Sequence, residues 1–331
     1  MQFKGFVGNA DAKEQLSSLV DSGRMPHALL IEGPSGSGRR TLARIAAQAA
    51  VCSHPDRTAR PCGTCSHCIK AQAGTHPDIS FFGGSERARS FSIKTVRELR
   101  EEGYRRPNEA ECRVFVLVNA QAMGTEAQDA LLRIIEEPPR HLRFILTCQS
   151  RFQLLETIRS RTFALAVKGV TEAEAMPFLR QKFPSAAEQE LQTLVRLYGG
   201  CLGQIEQALT DGKWKDGLQL APAIAEALLA SGEMALLKET SALPKDAVLI
   251  AGVLRELRFL FRDALAVKCG RQERLAPSPE TADKLAAALT AQHLVALIDT
   301  VAALETMQRY NINHSLFVTE MCARLRTAIG R

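Results

Sequence analysis

The densest group of reactive side chains in the sequence is a set of four cysteines between residues 52 and 68. Cys62, Cys65 and Cys68 follow one another in the stretch PCGTCSHC, and Cys52 precedes them. Four thiolates with C-x-x-C spacing can close tetrahedrally around Zn²⁺, and a closed set leaves no open position for catalysis. The spacing therefore predicts a structural zinc site. The alternatives are that His67 replaces one cysteine as a ligand, or that a C-x-x-C pair is redox-active.

A second chemical motif, GPSGSGRRT at residues 33–41, has the glycine pattern of a phosphate-binding P-loop. Its glycines let backbone N–H groups turn toward an anion, and the helix that follows adds a partial positive charge. In a working P-loop a lysine reaches the β and γ phosphates, and the next residue supplies a hydroxyl to Mg²⁺. Arginines occupy both positions, and the threonine comes one residue late, about 100° further around the helix. The loop residues in question are Gly33, Gly36, Gly38, Arg39, Arg40 and Thr41. A glycine turn that binds no nucleotide is the alternative.

The strand that would supply acidic groups to an ATPase site contains none. The stretch RVFVLVNAQAM runs through Val118 and Asn119, and no carboxylate lies between Arg113 and Glu126. Hydrolysis needs both a phosphate clamp and a bound metal. We therefore predict that ATP and Mg²⁺ are not used for hydrolysis by this chain.

Charged residues further along the sequence suggest contacts outside their own helices. Glu136 and Glu137 end a helical stretch before Pro138, although a helix C-terminus is unfavourable for anions. Arg161 lies in the stretch RSRT, after a predicted helix that carries Leu154, Leu155 and Ile158. An arginine held by a rigid segment can pair bidentately with phosphate oxygens of a neighbouring subunit. A solvated surface arginine is the alternative.

The apolar pattern predicts the elements that position these motifs. Short apolar runs alternate with helical periodicity in the first half, which is typical of a parallel sheet whose strands are buried on both faces. The predicted strands are residues 27–33, 78–84, 113–119, 143–148 and 163–168. The predicted helices between them are residues 11–23, 39–52, 93–104 and 125–137.

After Lys168 only helical patterns remain, which predicts three domains. We expect an α/β P-loop domain with a parallel five-stranded sheet over residues 1–168, with the zinc-binding insertion, a short loop, at 52–68. A small helical domain over 169–212 and a larger all-α domain over 213–331 follow. The larger domain contains a long helical period over residues 291–311. Thr171 is a predicted N-cap, and Gly199 with Gly200 is a predicted break between helices.

Charge and hydropathy exclude few partners. The 331 residues carry a formal charge of +6, from 42 Lys and Arg against 36 Asp and Glu. This excess permits a nucleic-acid neighbour without requiring one. No apolar run is long enough to cross a bilayer, and the first residues lack the pattern of a signal peptide. We expect a cytoplasmic protein with no membrane contact.

Together, these stretches resemble the clamp-loader ATPases of bacterial chromosome replication, which belong to the AAA+ class, and among them the delta-prime subunits of DNA polymerase III. The resemblance covers about residues 3–210 and follows the family's order. It is carried by FKGFVGNADAKEQLSSLVDSGRMPHALLIEGPSGSGRRT, CGTCSHC, GTHPDIS, ALLRIIEEPP and TIRSRTF.

The resemblance implies roles for several residues. Motor subunits of the family keep an intact P-loop and an acidic strand end, whereas delta-prime subunits often lack them. The stretch GGCLGQIEQAL, where the family's sensor arginine is expected, contains no arginine. Ser160, Arg161 and Thr162 match the family's SRC motif, with threonine in place of its cysteine, so Arg161 is implied to enter the ATP site of the adjacent motor subunit. The four cysteines match the family's zinc ligands, with a first spacer one residue longer than usual.

The function implied is that of a non-hydrolysing subunit of the DNA polymerase III holoenzyme, a DNA-directed DNA polymerase and nucleotidyltransferase. It would join gamma/tau and delta subunits in a pentameric ring, with the small helical domain as a lid and the last domain as a collar. The ring would place the sliding clamp on primed DNA. The alternatives are an active gamma/tau-type ATPase with Arg39 in place of lysine, and a zinc-containing DNA-binding module.

Overall fold

The computed structural model describes residues 1–83, 91, 93–212, 214–230, 232–245, 247–271, 274–308 and 313–330. The chain divides into two compact units. The first comprises Met1–Ser185 and Gly199–Gln204, and the second comprises Ala186–Tyr198 and Ile205–Arg331. The division into three domains stays a prediction.

The first unit contains a parallel sheet of five strands in the order β2-β3-β4-β1-β5. Its strands are β1 (Ala28–Glu32), β2 (Ile79–Gly83), β3 (Arg113–Val118), β4 (Leu142–Cys148) and β5 (Phe163–Ala166). The predicted parallel five-stranded sheet is confirmed. Residue 84, the last of the predicted second strand, lies outside the described residues.

Burial differs between the central and the edge strands. The central strands β1, β3 and β4 are buried along nearly their whole length, whereas β2 and β5 are partly exposed. The expectation that all five strands are buried on both faces is therefore wrong for β2 and β5. Each lies at an edge of the sheet with a single neighbouring strand.

Helices cover both faces of the sheet, and two apolar clusters lie beneath them. Alternate residues of a strand point to opposite faces, so Leu29 and Ile31 belong to one cluster while Ala28 and Leu30 belong to the other. The helices are α1 (Ala10–Asp21), α2 (Arg39–Val51), α3 (Ser66–Ala73), α4 (Ile93–Gly103), α5 (Thr125–Glu136), α6 (Glu156–Arg159) and α7 (Glu172–Lys182).

Two of these helices differ from the sequence prediction. Helix α3 lies in the zinc-binding insertion, which the sequence suggested to be a loop. The helix before Arg161 was expected to carry Leu154, Leu155 and Ile158, but only Glu156–Arg159 is helical. Thr171 caps α7 as predicted, within a capping box completed by Glu174.

The second unit is helical where it is described. Its helices are α8 (Glu188–Leu197), α10 (Trp214–Leu229), α11 (Glu233–Ser241), α12 (Ala247–Lys268), α13 (Pro279–Ala288), α14 (Ala291–Gln308) and α15 (His314–Ala328), while α9 (Leu202–Asp211) begins in the first unit. Residues 309–311, predicted as the end of α14, lie outside the described residues. In the described part of the chain, no helix is long and apolar enough to cross a membrane.

Candidate functional sites

The four predicted zinc ligands form one cluster between the end of α2 and α3. The Sγ atoms of Cys52, Cys62, Cys65 and Cys68 all lie within 4.8 Å of one another. Cys52 is the C-cap of α2, Cys65 is the N-cap of α3, and Cys68 lies in the first turn of α3. The two helices thereby bring together cysteines that are separated in sequence.

The sulfur positions fit a tetrahedral zinc ion. Zn–S bonds of about 2.3 Å place neighbouring sulfurs about 3.8 Å apart. The Cys52–Cys65 and Cys62–Cys68 sulfur distances are both 3.9 Å. The backbone N–H of Cys65 donates to Cys62 Sγ, and that of Cys68 donates to Cys65 Sγ, each at 3.4 Å. These N–H groups stabilise the thiolate form that binds a metal.

The four thiols differ in how easily they ionise. Burial raises the pKa of Cys52 and of Cys68. Burial also acts upward on Cys62, but the N–H of Cys65 and the hydroxyl of Thr64 lower the pKa of Cys62 to about 5. The pKa of Cys65 is lowered despite burial, because the N–H of Cys68 donates to its sulfur. Two of the four thiols are thus prepared to bind a cation as thiolates.

The alternative in which His67 replaces a cysteine ligand finds no support in the geometry. His67 Nδ1 lies 2.9 Å from His76 Nε2, and His67 does not belong to the cluster of possible metal ligands. The four cysteines are free thiols, as both a zinc site and a reduced C-x-x-C pair require.

The P-loop is a glycine turn on which residues from the start of α9 pack. Gly36 and Gly38 have φ angles of 76° and 94°, which favour glycine. A Cβ at Gly38 would lie 2.9 Å from the Phe6 ring, and one at Gly36 would lie 2.6 Å from the backbone nitrogen of Gln204. The N–H of Gly203 donates to the Gly36 carbonyl at 2.8 Å. One carbonyl of the loop is therefore already bound to this chain.

The residues after the glycines point in different directions. Arg39, at the lysine position of the motif, is only 8% exposed, and its Nη1 has no hydrogen-bond partner in the described part of the chain. Burial lowers its pKa. Arg40 lies on the exposed side of α2, and Thr41 is partly buried. A Cβ at Gly33 would lie 2.1 Å from the Val167 carbonyl oxygen, so the chain approaches this glycine closely.

Two polar residues at the ends of β1 and β3, on the strands beside this loop, are already paired within the described part of the chain. Glu32, at the end of β1, accepts a hydrogen bond from the Arg151 N–H at 3.0 Å, and its other oxygen lies 3.2 Å from Arg151 Nε. At the end of β3, the N–H of Asn119 donates to Thr147 Oγ1 at 3.0 Å. The groups nearest to the P-loop thus make contacts within the protein.

Arg161 lies directly after α6 and contacts three acceptors. Its Nη2 is 2.9 Å from Glu136 Oε1. Its Nη1 donates to the Thr157 carbonyl at 3.1 Å and to Ser160 Oγ at 3.2 Å. The arginine side chain is still 39% exposed. The guanidinium is therefore both held in place and accessible to solvent.

The short helix α6 is fixed to α5 by a buried glutamine. Gln128 is 6% exposed, its Oε1 accepts from the Leu155 N–H at 2.9 Å, and its Nε2 donates to the Met123 carbonyl at 3.0 Å. Leu154 and Ile158 are buried in the apolar cluster on the same side of the sheet. Together, these contacts set the position of Arg161.

Comparisons with known proteins identify the family. The family model described as "DNA polymerase III, delta subunit" matches residues 8–171, about half of the chain. DNA polymerase III subunit delta' of Escherichia coli is 27% identical over 94% of this chain and 92% of its own length. The delta' subunit of Pseudomonas aeruginosa is 32% identical over 56% of each chain. The chain belongs to the clamp-loader family of DNA polymerase III subunits.

The clamp-loader family also includes the gamma/tau relatives of this chain. The gamma/tau subunit of Mycobacterium bovis is 36% identical over 48% of this chain, which spans only 27% of that relative's length. Among solved structures, a DNA polymerase III gamma subunit-related protein of Thermotoga maritima covers 96% of this chain with 15% identity and a TM-score of 0.38. The RuvB branch migration motor of the same organism covers 85%, with 16% identity and a TM-score of 0.41.

One loop of the first unit is held by a buried acidic residue to which the sequence assigned no role. Asp78, from the stretch GTHPDIS, is fully buried and accepts hydrogen bonds from the N–H groups of Asn108, Glu109 and Ala110 at 2.6–2.9 Å. Arg113 Nη2 lies 3.6 Å from its carboxylate. These contacts fix the loop before β3, and the only sequence signal for them was an aspartate beside an apolar strand.

Proposed function

We propose that this chain is the delta-prime-type subunit of a clamp loader, which hydrolyses no ATP itself and supplies Arg161 to the ATP site of a neighbouring gamma/tau subunit. The observation that carries the proposal is the contrast between the P-loop and Arg161, the two places where this chain could contact a phosphate. The P-loop lacks the lysine, the hydroxyl and the strand-end carboxylate, while Arg161 is exposed and held in place. The nearly full-length similarity to a delta' subunit supports it.

The P-loop geometry supports a loss of hydrolysis. A guanidinium at Arg39 is bulkier than an ammonium, and this residue is buried. Arg40 supplies no hydroxyl for Mg²⁺, and Glu32 is paired with Arg151. The glycine turn and the start of α2 can still attract an anion, but the groups that would bind the metal and activate water are missing.

The surroundings of Arg161 support its role as an arginine finger. A planar guanidinium can pair with two phosphate oxygens at once, and it stabilises the charge that develops in phosphoryl transfer. Ile158 is fully buried, and Gln128 holds the start of α6. The short segment thus limits the motion of Arg161 and leaves its guanidinium accessible to a neighbouring subunit.

Zinc would have a structural role in this function. The four cysteines would hold the ion, which supplies a crosslink between α2 and α3 and no open coordination position. Because α2 begins at the P-loop, the crosslink would stabilise the half of the first unit that carries the loop.

The remaining parts of the function concern assembly. A small helical lid over residues 169–212 and a collar over residues 213–331 would join this chain to gamma/tau and delta subunits in a five-membered ring. The assembled ring, rather than this chain alone, would contact the sliding clamp and primed DNA in the cytoplasm. Similarity to gamma/tau and delta' subunits supports the assembly.

The variant Arg161→Ala tests the finger in a loader reconstituted from all its subunits. Arginine fingers contribute about 10³–10⁵ to phosphoryl-transfer rates, so the pre-steady-state burst should fall by about one ATP per loader on primed DNA. Ring assembly, measured by size-exclusion chromatography, should not change. The matched control is Arg105→Ala, an exposed arginine between α4 and β3. A burst equal to that of the wild type would reject the finger.

The alternative is an active gamma/tau-type ATPase, which the 36% identity to gamma/tau relatives favours. It requires Mg²⁺-dependent ATP binding and turnover by the isolated chain, with Arg39 in the place of lysine. Equilibrium binding and steady-state turnover of the chain alone separate the two functions. A third function, a zinc-containing DNA-binding module, requires salt-dependent DNA binding by the isolated chain.

A further inference from the structure

The pair formed by Glu136 and Arg161 joins two motifs that are separate in sequence. Glu136 is the last residue of α5, and its Oε1 lies 2.9 Å from Arg161 Nη2. The other terminal nitrogen, Nη1, is bound to Thr157 and Ser160. Both terminal nitrogens of the guanidinium are thus occupied by acceptors of the same chain.

Glu136 occupies an electrostatically unfavourable position unless it has a partner. The C-terminus of a helix carries a partial negative charge and repels a carboxylate. Pro138 and Pro139 prevent the helix from continuing, so Glu136 stays at this end. Arg161 supplies the compensating charge. Glu137, the next residue, is exposed and has no ion pair in the part of the chain that the structure describes.

A phosphate and the Glu136 carboxylate would compete for the same N–H groups. Both anions accept hydrogen bonds from the guanidinium fork, and a nucleotide triphosphate carries more charge than a carboxylate. The Arg161 and Glu136 side chains are 39% and 43% exposed, so solvent screens their attraction. A pair of this kind exchanges partners readily.

We propose that Glu136 is a positioning residue that holds the Arg161 finger against its own chain and releases it to a phosphate of the neighbouring subunit's nucleotide. The inference rests on the proposed finger function. While no phosphate is within reach, the carboxylate neutralises the guanidinium and keeps it in one orientation. When the subunits close on DNA, the phosphate replaces Glu136. The pair therefore suppresses hydrolysis in the DNA-free loader.

The test is Glu136→Gln in the fully reconstituted loader, with Glu137→Gln as the matched control. Glutamine keeps the size of the side chain and removes the charge that holds the guanidinium. The loss of a screened ion pair should raise the DNA-independent ATPase rate by about two- to fivefold. The DNA-stimulated rate should change by less than about twofold, since the phosphate already outcompetes the carboxylate in that state. The control should change neither rate.

A double-mutant cycle separates an effect through Arg161 from a general structural effect. In the Arg161→Ala background, Glu136→Gln should have no further effect on either rate. The inference is wrong if Glu136→Gln behaves like Glu137→Gln, or if it lowers both rates as a required support of the finger would. If Arg161→Ala alone leaves the ATPase unchanged, the proposed function itself is rejected, and the release step with it. Size-exclusion chromatography and thermal unfolding of each variant confirm that it folds and assembles.

Discussion

Replacing a cysteine of the cluster should have a different effect from replacing a cysteine outside it. Cys68 is fully buried, and its sulfur lies 3.9 Å from that of Cys62. Its removal would take away one ligand and leave a small space at the junction of α2 and α3. Cys269 is a free and exposed cysteine outside the cluster. The two residues therefore form a matched pair for testing the metal site.

We expect Cys68→Ser to lose the bound metal, whereas Cys269→Ser should keep it. The wild-type chain should contain about one zinc ion, and Cys68→Ser far less, because three thiolates bind zinc more weakly than four. The lost crosslink should lower the thermal unfolding midpoint by several degrees. Inductively coupled plasma mass spectrometry and calorimetry measure the two quantities. Equal zinc content in both variants would contradict a four-cysteine site.

At the scale of elements, the position of the finger depends on how α6 is attached. A helix of four residues has too few internal hydrogen bonds to be stable alone. Its stability comes from the buried Ile158 and from Gln128, which bonds the N–H of Leu155 and the carbonyl of Met123. Gln128 therefore acts on Arg161 through the helix, without touching it.

We expect Gln128→Ala to destabilise the first unit by about 1–3 kcal/mol, since it leaves the part-buried N–H of Leu155 and the buried carbonyl of Met123 without partners. The same variant should reduce the DNA-stimulated ATPase of the reconstituted loader, because α6 loses its fixed position. Chemical denaturation and the loader assay measure the two effects. Gln153→Ala, at an exposed glutamine just before α6, is the control. A stable variant with a normal ATPase rate would contradict this attachment.

The sequence was sufficient to predict the strands and most helices of the first unit, because continuous apolar runs and helical periods leave a local signal. It was not sufficient to distinguish edge strands from central ones, since strand order depends on long-range pairing. The prediction made helix α6 too long for a related reason. The apolar residue Leu154 is buried in the core without being helical, and Leu155 is the N-cap of the short helix.

The sequence was sufficient to predict that the four cysteines lie together, but not which charged side chains pair with each other. The cysteine spacing predicted the cluster, and the unfavourable position of Glu136 suggested a partner outside its helix. That the partner is Arg161 could not be read from the sequence, because the two residues meet only when α5 and α6 pack together. The buried contacts of Asp78 and Gln128 depend on the same kind of long-range packing.

At the scale of the whole molecule, each of the two units has apolar clusters of its own. The core of the second unit contains a buried acid, Glu256 of α12, which is 1% exposed. Neither of its carboxylate oxygens has a hydrogen-bond partner among the residues that the structure describes. Asp263 of the same helix is also buried, and it accepts from the N–H groups of Leu275 and Ala276 at 2.7 Å.

We expect the stability of this second unit to fall as the pH rises from about 5 to 8. Burial, with a smaller contribution from the charge of Asp263, raises the pKa of Glu256 from 4.5 to about 8. Between pH 4.5 and about pH 8, the Glu256 carboxyl group has lost its proton in the unfolded chain and keeps it in the folded unit. The free energy of unfolding therefore decreases with pH, by at most about 1.4 kcal/mol per pH unit, and levels off above the folded pKa.

Glu256→Gln should remove this pH dependence, because the amide is neutral in both states. The variant should be more stable than the wild type near pH 8 and closer to it near pH 5. Hydrogen exchange of α12 peptides in the full-length chain, corrected for the intrinsic effect of pH, measures the change in the second unit. Glu280→Gln, at an exposed carboxylate in the first turn of α13, is the control and should follow the wild type. Parallel pH profiles for Glu256→Gln and the wild type would mean that Glu256 ionises as freely in the folded unit as in the unfolded chain.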